Sequence, residues 1–251
     1  MKKALVVANW KCNPSTEKEA EKILNEVKRQ IRKITNVQVV ICPPFLFLPS
    51  LKKRIKNTKI VLGAQNVFYQ SGPFTGEISP EMLKRFGVKY VIVGHSERRK
   101  LGENDQIINK KIKSLLELKM SPILCVGETK EEREKEKQFE VVERQIQEAL
   151  RNIKKTLLGN LIIAYEPVWA ISTNKGKLCS SDDIMTMKLF IKQLFEKNFG
   201  LKISERVKIL YGGSVDDRNI QLVRSAGIDG VLVGSASLKP EKFILILKAF
   251  S

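Results

Sequence analysis

The reactive side chains of this chain cluster at the ends of short apolar runs. His95, the only histidine, stands in Gly94-His95-Ser96-Glu97-Arg98-Arg99, directly after Tyr90–Val93. Glu166 follows Leu161–Tyr165 and precedes Pro167, while Asn9 and Lys11 follow Ala4–Ala8. Cys125 lies within Ile123–Val126, and Glu128 comes just after it. Gly212-Gly213-Ser214 and Gly234-Ser235 follow Val207–Tyr211 and Gly230–Val233. A carboxylate base, an imidazole donor and a fixed ammonium together suit proton abstraction next to a carbonyl. The first takes the proton; the others stabilise the oxyanion that develops. Glycine-rich turns let backbone N–H groups approach a phosphate closely. Such chemistry requires no metal and no organic cofactor.

Taken singly, each residue also has an ordinary structural reading. A lone histidine is more often structural, an isolated glutamate is usually paired with Lys or Arg, and Gly-Gly is commonly a tight turn. Lys11 has Glu97 as an expected ionic partner, and Arg98 with Glu103 reads as a structural pair. The functional reading gains weight because these residues follow separate apolar runs of one kind.

Two further runs, Val37–Cys42 and Ile60–Ala64, bring the number of strand candidates to eight, and their starts lie between 23 and 46 residues apart. Nearly every position in them is apolar, as expected of parallel strands buried on both faces. The segments between read as amphipathic helices. They include Thr16–Ile34 capped by Ser15 or Thr16, a helix opening at Ser79-Pro80, Ile107–Leu118 capped by Asn104 or Asp105, Glu131–Leu150, and one starting at Ser181. Eight β–α units without a linker imply an α/β protein with one domain over residues 1–251. An open doubly wound sheet would need a glycine fingerprint after the first strand, where the chain has Asn9-Trp10-Lys11-Cys12-Asn13. A closed (β/α)8 barrel is therefore expected, with its site at the C-terminal ends of the strands.

Lys and Arg number 45 against 27 Asp and Glu, for a net charge of +18. The lysines are spread through every expected helix and no nucleic-acid motif is present, so solvated charge is favoured over a nucleic-acid partner. No apolar run approaches the ~18 residues of a membrane span. The four cysteines show no CxxC or zinc spacing, and a single histidine is too few for most histidine metal sites. The start MKKALVVANWK turns polar at Asn9, and a cytoplasmic protein is expected.

The motifs NWKCN at 9–13, GHSERR at 94–99, CVGE at 125–128, AYEPVWAI at 164–171, YGGSV at 211–215 and DGVLVGSASL at 229–238 closely resemble the triosephosphate isomerase family, in order along the whole chain. The resemblance implies a TIM barrel that interconverts dihydroxyacetone phosphate and glyceraldehyde 3-phosphate, a step of glycolysis and gluconeogenesis. Glu166 would be the base, His95 the neutral electrophile, and Lys11 and Asn9 the groups that stabilise negative charge. Backbone N–H groups near Ser172, Ser214, Gly234 and Ser235 would grip the phosphate, with Ser96, Glu97 and Cys125 in support. The segment after Trp169 would form a lid. A homodimer is implied, meeting through the Gln65 region and the Phe74-Thr75-Gly76-Glu77 loop, with Thr75 reaching towards the neighbour's Lys11 and His95.

The chain departs from the family pattern in two places. Where the lid usually reads AIGTGKT, this sequence has AISTNKGKLC, with Ser172 in place of glycine and about two extra residues. A closed lid that needs a positive φ at Ser172 would cost about 1 kcal/mol or more. Gly234-Ser235 replaces the usual Gly-Gly, keeping the N–H but narrowing the room.

Overall fold

Eight parallel strands close into a ring: β1 Ala4–Asn9, β2 Val37–Cys42, β3 Ile60–Ala64, β4 Tyr90–Val93, β5 Ser121–Val126, β6 Ile162–Tyr165, β7 Lys208–Tyr211 and β8 Gly230–Val233. The computed structural model describes residues 3–171 and 179–251. Each strand pairs with the next, and β8 returns to β1 in the register Leu5↔Gly230 to Ala8↔Val233. Gly230 makes that closure possible, since a Cβ there would stand 1.9 Å from the Leu5 carbonyl oxygen.

The apolar runs serve two cores. Leu5, Val7, Val40, Ile92, Ile123 and Leu210 belong to the cluster inside the barrel. Their alternating neighbours Val6, Ala8, Val39, Ile41 and Val91 join the larger layer packed beneath the helices. Burial on both faces is why the strands carry almost no polar residues.

Helix starts follow the side chains available to accept orphan N–H groups. Thr16 caps Glu17–Gln30, Ser79 caps Pro80–Phe86, Asn104 caps Asp105–Glu117, and Ser180 caps Ser181–Phe199. The first of these is shorter than its apolar spacing suggests, because a 3-10 turn takes over at Ile31–Lys33. The expected helix Glu131–Leu150 is two helices, Lys130–Glu134 and Gln138–Leu150. The charged run between them offers nothing to bury, and Glu136 breaks the helix with a φ of 55°. Strand β5 begins two residues earlier than expected, accommodating Pro122 near its start, where a ladder donor is dispensable. No helix among the described residues is long and apolar enough to cross a membrane.

Candidate active site

Each strand end delivers its polar residue by a different local device. Asn9 is the last residue of β1 and is buried; its side-chain oxygen accepts the Lys11 N–H at 3.0 Å. Lys11 itself has a φ of 52°, unusual for a residue with a side chain and a mark of local strain. Gln65 secures it by donating Nε2 to the carbonyls of Lys11 at 2.8 Å and Cys42 at 2.9 Å. The expected ion pair forms, with Lys11 Nζ 2.5 Å from Glu97 Oε1.

His95 follows β4 and caps the short helix Ser96–Lys100. Its Nδ1 accepts the Glu97 N–H at 3.2 Å. A nitrogen that accepts from a backbone amide carries a lone pair, which assigns the ring proton of the neutral imidazole to Nε2. That Nε2 lies 3.5 Å from Glu166 Oε1. Ser96 opens the helix and is buried.

Glu166 leaves the end of β6 with its N–H bonded to the Val126 carbonyl at 2.7 Å. It is enclosed, only 2% exposed. Among the described residues neither of its carboxylate oxygens meets a hydrogen-bond partner. A buried carboxylate without such partners is costly in a purely structural role. Beside it, the Cys125 thiol is pushed well up, first by burial and then by the charge of Glu166. Cys125 packs in the inner barrel core.

Glu128, the other carboxylate in this region, is differently employed. Tyr165 Oη donates to both its oxygens at 3.1 Å, and Trp169 Nε1 donates at 2.8 Å. Arg133 approaches within 3.6 Å and forms a second ion pair with Asp183. Glu128 thus ties the 3-10 turn Val168–Ala170 to the helices outside the barrel.

Asn9, Lys11, His95 and Glu166 line a cleft of about 390 Å³. Gly212, Gly213, Ser214, Gly234 and Ser235 line the same cleft. The backbone amides of Gly234 and Ser235 have no hydrogen-bond partner among the described residues. The Ser214 amide differs from expectation, because it donates to the Ala170 carbonyl at 3.0 Å. Its N–H can reach an anion only when that bond opens. Ser172 and the altered lid stretch lie outside the described residues.

Sequence reasoning missed Leu232 in the cleft wall, the clamp that Gln65 places on Lys11, and the cations Arg218, Lys239 and Lys242 near the mouth. Nothing local in the sequence marks these residues, since each depends on a contact between distant segments. Among the described residues no three His, Cys, Asp or Glu side chains converge as metal ligands.

The family model described as triosephosphate isomerase matches residues 4–250. A triosephosphate isomerase of Alkaliphilus oremlandii is 43% identical over 98% of this chain and 99% of its own. Those of Alkaliphilus metalliredigens and Carboxydothermus hydrogenoformans are each 46% identical, over 98% and 99% of this chain and 99% of their own lengths. A match that runs through every strand and every rim loop makes this chain a member of the triosephosphate isomerase family.

Proposed function

We propose that this chain interconverts dihydroxyacetone phosphate and D-glyceraldehyde 3-phosphate through an enediolate. Glu166 takes the proton from C1 of the ketose and returns it to C2, so its carboxylate is regenerated in each turnover. His95 donates Nε2–H to the substrate carbonyl and carries the hydroxyl proton between the two oxygens. Lys11 and Asn9 stabilise the negative charge that develops, in a site whose dipoles are already oriented. The Gly234 and Ser235 amides hold the phosphate, joined by Ser214 and Ser172. The net positive charge draws in the anionic substrate.

One observation carries this reading: a buried carboxylate without a hydrogen-bond partner among the described residues, 3.5 Å from the proton-bearing nitrogen of the only histidine. The test is a coupled assay on glyceraldehyde 3-phosphate with the unaltered protein and Glu166→Gln. Turnover that disappears in the variant supports the reading. Phosphate-ligand binding without turnover by the unaltered protein would instead indicate a barrel that binds phosphorylated metabolites without isomerising them.

The chain acts as a single catalytic domain, and four free cysteines suit a cytoplasmic setting. A homodimer through the Gln65 and Phe74–Glu77 region is supported by the apolar surface nearby. Leu46 is 85% exposed and Met82 58% exposed, beside a groove lined by Phe45, Leu48, Ile78 and Phe86. Sedimentation at a single-chain mass across micromolar concentrations would reject the dimer.

A further inference from the structure

A pair of buried charges lies behind the catalytic face and takes no part in the proton transfer. Lys111, on the helix Asp105–Glu117, is 3% exposed, and Glu103, just before that helix, is 6% exposed. Lys111 Nζ donates to Glu103 Oε2 at 2.6 Å and to Asn66 Oδ1 at 2.7 Å. Burial pushes the Glu103 carboxyl up, but the bonds and charges of Lys111 and Arg98 outweigh it and leave the group below its usual range. Burial pulls the Lys111 ammonium down, and Glu103 offsets only part of that. Well-packed apolar side chains often replace a buried ion pair without loss of stability, so stability is a weak reason for this one.

Contacts leave the pair in two directions, one to the backbone of Gly94 beside His95 and one to Asn66, beside the residue that holds Lys11. Glu103 Oε1 accepts the N–H of Gly94, the residue before His95, at 3.2 Å. Its Oε2 also accepts Arg98 Nε at 3.1 Å, from the short helix that His95 caps. On the other side, Asn66 adjoins Gln65, the side chain that holds the carbonyl of Lys11 at 2.8 Å. Lys11 needs such a hold, because its left-handed backbone is not self-sustaining. At the front, Lys11 and His95 communicate through Glu97, whose side chain is 45% exposed. The enclosed link is the one at the back.

We propose that Lys111 is a positioning residue of the reaction: with Glu103 it ties the turn carrying His95 to the Gln65-Asn66 segment that holds Lys11, fixing the spacing of imidazole and ammonium. The kinetic consequence rests on the isomerase reading above; the geometric one does not. Two variants of the full chain test it, Lys111→Met and Asn66→Ala, the second leaving the buried ion pair whole. Thermal midpoint, kcat, KM and the ¹⁵N shifts of the His95 ring are read for each, the ring being unambiguous because the chain has one histidine.

Lys111→Met is expected to lower kcat roughly tenfold or more and to move the ring-nitrogen resonances while the protein stays folded. Asn66→Ala is expected to lower kcat/KM about threefold or more with the ring resonances in place, since the Gly94 link survives. Wild-type kcat and ring shifts in folded Lys111→Met overturn the proposal. If that variant does not fold, wild-type kcat/KM in Asn66→Ala overturns it. An unaltered protein without turnover would defeat the isomerase reading alone, and the ring shifts of Lys111→Met would then decide the positioning claim.

Discussion

Gly212 turns the bare side of its Cα towards Glu166, and a Cβ there would stand 2.7 Å from the Glu166 Cγ. The glycine is thus part of the space in which the carboxylate sits. Gly212→Ala should push Glu166 out of line and lower kcat by roughly tenfold to a hundredfold. Because the Glu166 side chain can shift, the loss of thermal stability should be small beside the loss of rate. Steady-state kinetics with a melting curve separate the two; an unchanged kcat would show that the carboxylate has more room than the geometry indicates.

Glu166→Asp shortens the base by one methylene without removing its charge. The carboxylate withdraws from the cleft, so kcat should fall on the order of a hundredfold while the circular dichroism spectrum stays the same. A variant with near-normal turnover would refute the assignment of the base.

Lys11→Ala removes the ammonium that Glu97 holds at 2.5 Å and leaves the strained backbone clamped by Gln65. Turnover should drop to background, and inhibition by inorganic phosphate should weaken. Inhibition constants that match the unaltered protein would count against the electrostatic role of Lys11.

Glu128 offers a test by pH. Its carboxyl is raised above the ordinary 4.5, mainly by burial, with the bonds from Trp169 and Tyr165 offsetting part of the effect. A group that holds its proton more tightly when folded stabilises the fold most below its unfolded pKa, and that contribution is lost as pH rises through the folded value. Thermal midpoints of the unaltered protein and Glu128→Gln, compared from about pH 4 to about pH 8, should therefore show an advantage of the former that shrinks as pH rises. A difference that stays constant would place the raised carboxyl elsewhere.

The strands were legible in the sequence because each is buried on both faces, which leaves a short run of apolar residues that local reading detects. The observed limits of β2, β3, β4 and β8 coincide with the expected runs, and the caps Thr16, Ser79 and Asn104 stand at the expected places. The helix break at Glu136 was hidden inside a charged run. Charge there fits a solvated helix face as well as a turn, and only the absence of a buried face distinguishes them.

By itself, then, the sequence determined the eight-unit plan and which polar residues stand at the strand ends, since both are written in neighbouring residues. The tertiary structure alone decided that Glu166 has no hydrogen-bond partner among the described residues, that Ala170 occupies the Ser214 amide, and that Lys111 bridges two loops from behind. Each of these is a distance between segments remote along the chain. Such distances depend on how strands close and helices pack around them, and no local periodicity encodes them.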